Sequence, residues 1–159
     1  MEFKHTINIL NEFGKALVEE YKDSLILNDV NASDTLYNSV RYIVDAGDTK
    51  FSLSLGLEDY YIYVENGRKA GKWPPITAIE RWIEVKPVLP SPDVNGNLPT
   101  TKQLAFLISR KIGLEGIAPR PLLKQSIENI WYVFEEFLDE AFTKDIEENI
   151  NEIMVILIK

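Results

Sequence analysis

The chain has 159 residues, 45% of them hydrophobic and 26% charged, with a formal net charge of −8, no cysteine and a single histidine. That length and balance fit one globular domain and exclude wholesale disorder. No apolar run reaches the roughly 18 residues of a membrane span, the missing thiols exclude disulfides and thiolate metal sites and suit a reducing compartment, and the negative balance excludes a module that clamps duplex DNA with massed Lys and Arg, though not an acidic surface past which DNA slides.

The opening "MEFKHTINIL" has no basic segment leading into a long apolar stretch, so no signal peptide is expected and synthesis in the cytosol is. Leu10, Phe13, Leu17, Tyr21 and Leu25 then recur at spacings of three and four, one apolar stripe on a helix with Glu and Lys on its other side. "DVNAS" punctuates, with Asn31 or Ser33 expected to cap or turn the chain. "TLYNSVRYIVDAG" is rich in Tyr, Val and Ile and reads as a strand. Asp45-Ala46-Gly47-Asp48 offers a turn, and "KFSLSLGL" alternates with Phe51, Leu53 and Leu55 on one face. An antiparallel hairpin over about 36–56 is expected, with one face buried.

"EDYYIYVENG" mixes helical spacing with strand composition, and the expectation is a short helix ending at Asn66-Gly67, where glycine caps. Trp73-Pro74-Pro75 forces an extended turn. "ITAIERWIEV" is a short amphipathic helix with Ile76, Ile79, Trp82 and Ile83 inward. Residues 86–101, "KPVLPSPDVNGNLPTT", hold too many prolines to build a core and read as an exposed loop, long enough to be functional or ordered by a partner. "TKQLAFLISRKIGLEG" is a helix capped by Thr100 or Thr101 and closed by Gly113. Pro121 sits at the first turn of a further helix whose apolar face is Leu123, Ile127, Ile130, Trp131, Phe134 and Leu138. "INEIMVILIK" reads as the tail of a helix or as a last strand beside the hairpin, and the strand is the expectation. The whole is expected to be α+β in a single domain, 1–159: a small antiparallel sheet flanked by amphipathic helices.

Catalytic motifs are weak. Gly67 and Gly71-Lys72 stand one residue too close for a Walker loop, and Trp73 occupies the position of the magnesium-binding hydroxyl. His5, the lone histidine, reads as a solvated terminal residue and allows neither a triad nor a multi-histidine metal site. Glu135, Glu136, Asp139, Glu140, Asp145, Glu147 and Glu148 form an acidic run that lacks an alternating cation loop and reads as a solvated helix face. No catalytic, cofactor-binding or metal-binding residue is assigned. What stands out is Tyr60, Tyr61, Tyr63 and Trp73 beside Arg68, Lys69 and Lys72, aromatic and basic material suited equally to a core and to a subunit interface.

Three stretches share a pattern. "SDTLYNSVRYIV" followed by a hairpin is similar to the start of the sheet in small tailed-phage neck and tail-completion proteins. "YYIYVENGRKAGKWPP" resembles their Y-(V/A)-x-x-x-E-x-G segment, and "GIAPRPLLKQSIEN" resembles the G-x-x-(P/A)-R-P-(F/L)-(L/F)-x-x-A start of a later helix. The resemblance covers about residues 31–142 and rests on Tyr63, Glu65, Gly67, Arg120 and Pro121. The chain departs from it in the loop 86–101, which looks like an insertion, and in Leu122 or Leu123 where Phe is usual. The resemblance implies a structural virion protein, not an enzyme, that forms rings of about six or twelve copies around the DNA channel and joins head to tail. Its partners would be further copies of itself and neighbouring portal, neck or tail-tube proteins, with no cofactor and no membrane. On this reading Tyr63, Glu65, Gly67, Arg68, Gly71, Trp73, Arg120 and Pro121 are the structural-motif or interface candidates, residues 60–75 form a rigid aromatic joint, and Arg120 is expected to make a salt bridge within the fold or across subunits. The competing reading, motivated by acidity and exposed aromatics, is a protein-binding module that mimics the charge of DNA.

Overall fold

The computed structural model describes residues 2–30, 34–47, 50–86, 88–92 and 94–158. In chain order the elements are α1 (Lys4–Leu27), α2 (Thr35–Ser39), β1 (Arg41–Ala46), β2 (Phe51–Gly56), α3 (Tyr61–Asn66), α4 (Ile76–Val85), α5 (Thr101–Glu115) and α6 (Leu122–Ile158). The class is α+β, as the sequence implies. The sheet among the described residues is a two-stranded antiparallel hairpin, in register from Arg41↔Gly56 to Ala46↔Phe51.

The frame is a pair of long antiparallel helices from the two ends of the chain. The Glu2 N–H donates to Asn149 Oδ1 at 3.1 Å at one end, and the Ser24 and Ser126 hydroxyls share a hydrogen bond of 3.2 Å at the other. The stripe expected on α1 is real: Phe13, Leu17, Tyr21 and Leu25 are buried. Tyr21 and Leu25 join Leu36, Val40 and Leu122 in the main core cluster, with Val64 and Tyr61 of α3 packed against it. Phe13 meets Trp131 and Phe134 edge-on at 5.8 and 5.2 Å. The hairpin lies on α1, where Gly14 leaves the space for Tyr42; a Cβ there would stand 2.4 Å from the tyrosine ring.

Four expectations are corrected. The strand expected from residue 36 begins at Arg41; Thr35–Ser39 is a helical turn that sends Leu36 and Val40 into the core. The C-terminal segment is the end of α6 and not a strand. Its β-branched content is overridden because a helix already nucleated upstream gains one hydrogen bond per added residue, and β-propensity depends on a sheet surface to pack on. Gly113 lies inside α5, which ends instead at Gly116. Of the face expected on α6, Leu123, Ile130, Phe134 and Leu138 are half-buried but Ile127 and Trp131 are exposed, and the fully buried positions are Leu122, Ser126, Ala141, Asp145 and Asn149.

Other expectations stand. Thr100 caps α5 in a reciprocal box with Gln103, α3 ends at Asn66, and α4 half-buries Ile76, Ile79 and Ile83; Trp82, expected inward with them, is instead exposed. The loop after α4 is exposed, with Leu89 and Val94 almost fully so. The capping expected of Asn31 or Ser33, and the Asp48 end of the hairpin turn, lie outside the described residues. No helix among the described residues is long and apolar enough to cross a membrane.

Candidate functional site

Helices α4 and α5 pack on each other, and the chain reaches and leaves this lobe through two short segments that lie side by side. Arg68 and Ile117 form an isolated antiparallel bridge: the Arg68 N–H donates to the Ile117 carbonyl at 2.9 Å and the Ile117 N–H to the Arg68 carbonyl at 2.8 Å. A glycine precedes each partner. Gly67 has φ 67° and ψ −163°, and Gly116 has φ 79° and ψ −161°, a region open essentially to glycine alone. The approach is also too close for a side chain, since a Cβ on Gly67 would stand 2.3 Å from the Ile117 carbonyl oxygen and one on Gly116 2.2 Å from that of Arg68.

Below this bridge the same segments tie to the main body. The Arg120 N–H donates to the Val64 carbonyl at 2.8 Å. Glu65 turns its carboxylate on the start of α6, accepting from the Leu123 N–H at 2.8 Å and, at 3.5 Å, from that of Lys124. Pro121, immediately before α6, has no side chain to cap with, so a carboxylate from α3 takes that role and favours the positive end of the helix dipole. Above the bridge, residues 71–75 dock on α5. The Gly71 N–H donates to the Gly113 carbonyl at 2.8 Å, Ser109 Oγ donates to the Pro74 carbonyl at 2.7 Å, and Trp73 lies over Gly113, where a Cβ would meet its ring at 2.1 Å.

Five of the eight sequence candidates, Glu65, Gly67, Arg68, Arg120 and Pro121, therefore meet in one hydrogen-bonded neck. Gly71 and Trp73 grip α5. Tyr63 stands apart, 58% exposed on the rim of a cleft of about 610 Å³ that it lines with Tyr60, Trp82, Lys86 and Arg120. Of the joint expected over 60–75, Tyr61 and Val64 pack on the main core and residues 71–75 dock on α5. The salt bridge expected of Arg120 within the fold is replaced by a hydrogen bond of 3.3 Å from its guanidinium to the Asn28 carbonyl. Across the cleft the ion pair is Lys86 with Asp29, 2.6 Å apart.

The acidic run contains one residue that is not a solvated face. Asp145 is 1% exposed and takes the His5 N–H at 3.0 Å, the Thr6 N–H at 2.7 Å and the Thr6 hydroxyl at 2.7 Å. Burial pulls its pKa up, but the hydrogen bonds from Thr6 and His5 and the nearby imidazole outweigh burial and hold the carboxyl below its ordinary value. Asp145 is the N-terminal cap that α1 lacks in its own sequence, where Phe3 occupies the capping position. His5 also corrects expectation: its ring is half-buried and lies 3.2 Å from Glu148. These three residues bring potential ligand atoms within 4.8 Å of one another, but Asp145 spends both oxygens on the helix end.

No family model, curated protein or solved structure matches the chain.

Proposed function

We propose that this protein is a structural component of a tailed-phage neck or tail top, forming a ring around the DNA channel and joining head to tail. It works as an assembly protein and not as an enzyme, in the virion after assembly and in the host cytoplasm before it. The observation that supports this most is the neck itself. Glu65 accepts from the Leu123 N–H at the start of α6, Val64 from the Arg120 N–H, and Arg68 and Ile117 bond each other, so the segments that carry two motifs far apart in sequence are joined at one neck. The exposed loop over 86–101 gives a subunit something to reach its neighbours with, and the net charge of −8 suits a channel that DNA passes without binding. Purified particles, with copies of this chain counted against the major capsid protein by quantitative mass spectrometry, test the reading. A fixed low number, about six or twelve, supports it; absence from intact particles overturns it.

The exposed rings of Trp131, Tyr132 and Phe142 beside Glu135, Glu136 and Asp139 favour the second reading, an acidic module that binds a basic partner. Absence from particles together with a stoichiometric complex with a basic host protein decides for it.

A further inference from the structure

Charge in this chain is divided by region. Residues 67–121 hold nine Lys and Arg against four Asp and Glu, a balance of +5, while the rest of the chain holds eight against 21, a balance of −13. The first region is the neck and lobe; the second is the main body.

Each region carries one helix face that the fold leaves partly uncovered, with Phe106 touching Trp73 on one and Trp131 and Phe142 touching Phe13 and Phe3 on the other. On α5 the fully buried positions are the small residues Ala105, Ser109 and Gly113, which let residues 71–75 approach closely; Leu104, Ile108 and Ile112 are half-buried, and three further large apolar side chains lie on the outer side. Phe106, Leu107 and Leu114 are 44, 52 and 60% exposed, and Lys102, Arg110 and Lys111 stand exposed among them. The nearest described carboxylate pairing is Lys111 with Glu115, at 3.9 Å; Lys102 and Arg110 have no ion pair among the described residues. On α6 the positions 131, 132, 135, 136, 139 and 142 share one side of the helix. Trp131, Tyr132 and Phe142 are 42, 74 and 44% exposed there, around a groove of about 730 Å³ also lined by Glu135, Glu136 and Asp139. None of those three carboxylates pairs with a cation among the described residues.

The two faces are complements. Each offers three large apolar groups and three charged ones, of opposite sign on the two faces, within about three helical turns. Apolar anchors rimmed by charge are the composition of a protein interface, and opposite potentials select and orient the partner. We infer that the α5 face of one copy docks on the α6 face of the next, a head-to-tail contact in which each subunit uses both faces. The occupant is a second copy because both halves of the match lie on this chain, whereas either face against its own like is repelled by three like charges. A contact between two different faces repeats, and it closes into a ring or runs on as a filament according to the rotation between neighbours. The contact deepens the ring reading above and rests on it for closure.

A charge-swap experiment tests this. One variant carries Lys102→Glu, Arg110→Glu and Lys111→Glu, the other Glu135→Lys, Glu136→Lys and Asp139→Lys. All six positions are exposed, so both variants are expected to keep the wild-type circular dichroism and unfolding midpoint. Sedimentation velocity of the full chain at low salt should show wild-type association that weakens as salt is added. Each variant alone should associate on the order of a hundredfold more weakly, because its two faces now repel. An equimolar mixture should associate again, since each face of one variant then meets an opposite face on the other. A wild-type chain of single-copy mass at every concentration, a variant that associates as well as wild type, or a mixture that stays monomeric each overturns the contact. Particles that contain the chain but assemble equally well with either variant would leave the neck reading standing and remove this contact from it.

Discussion

Asp145 shows how far one residue can differ from its neighbours in sequence. Glu147 and Glu148 beside it are exposed, whereas its carboxylate is buried against the start of α1 with three donors and no ion pair among the described residues. Removing it strands two backbone N–H groups and a hydroxyl, so Asp145→Ala should cost about 3 kcal/mol of unfolding free energy in a urea titration. Its folded pKa lies below the ordinary 3.8, which fixes the sign of the pH dependence. The stabilisation is complete above that value and is lost as pH falls through the folded pKa, where the protonated form no longer accepts all three bonds. Between pH 5 and pH 3 wild type should therefore lose more stability than Asp145→Asn. Tyr21 makes the opposite case. Its ring fills the core at 0% exposure, but its hydroxyl has no hydrogen-bond partner among the described residues, and burial first, then Glu65, Tyr60 and Tyr61, push its pKa up. Tyr21→Phe removes an unsatisfied group and keeps the ring, so it should raise stability by up to about 1 kcal/mol, read as a higher unfolding temperature.

The neck is where element-scale argument can be checked, because glycines that share a positive φ sit in different surroundings. Gly116 and Gly71 both have positive φ, 79° and 119°. A Cβ on Gly116 would strike the Arg68 carbonyl, whereas one on Gly71 meets nothing within 4 Å. Gly71→Ala should thus cost about 1 kcal/mol for conformation alone, and Gly116→Ala about 3 kcal/mol or more, the difference measuring the close approach of the two segments. At this scale much was legible in the sequence. The 3.6-residue period of α1, the strand at β2, the Asn66-Gly67 stop and the cap at Thr100 are local signals, and each is observed, although β2 has no buried residue and its burial does not alternate cleanly. What the sequence hid was set by distant contacts. Residues 150–158 look like a strand but extend a helix begun at Leu122, and Asp145 looks like a solvated acid but caps a helix from the other end of the chain. Glu65, Gly67, Arg120 and Pro121 were legible as candidates, yet nothing local says that Glu65 caps α6. The outward face of α5 was missed because Ala105, Ser109 and Gly113 carry no hydrophobic signal, although a count of charge by region would have flagged the lobe.

For the whole molecule the neck implies modularity. The main core cluster, Tyr21, Leu25, Leu36, Val40 and Leu122, lies wholly outside residues 69–116. Arg68 and Ile117 already exchange both hydrogen bonds, the pair that closes a two-residue hairpin turn. Replacing residues 69–116 with Asn-Gly should therefore leave a body that unfolds cooperatively, in enough salt to screen its remaining carboxylates. The replacement also removes Lys86 and with it the ion pair to Asp29 across the cleft, which is exposed on one side and contributes at most about 1 kcal/mol. A broad, non-cooperative transition in that shortened chain would show that the lobe is part of the body's core.

The pairing of α1 with α6 also sets an order on the ribosome. Translation runs at about 5–20 residues per second, so the buried stripe of α1 waits on the order of ten seconds for Leu122 and its followers to be made. In that interval α4 and α5, neighbours in sequence, can pack together, while Tyr21 has Leu36 and Val40 but not Leu122 beside it and Phe13 lacks the rings of Trp131 and Phe134. The nascent chain is thus a finished lobe trailing an unfinished body, and its greatest need for a chaperone falls before its last forty or so residues emerge, roughly the length of α6.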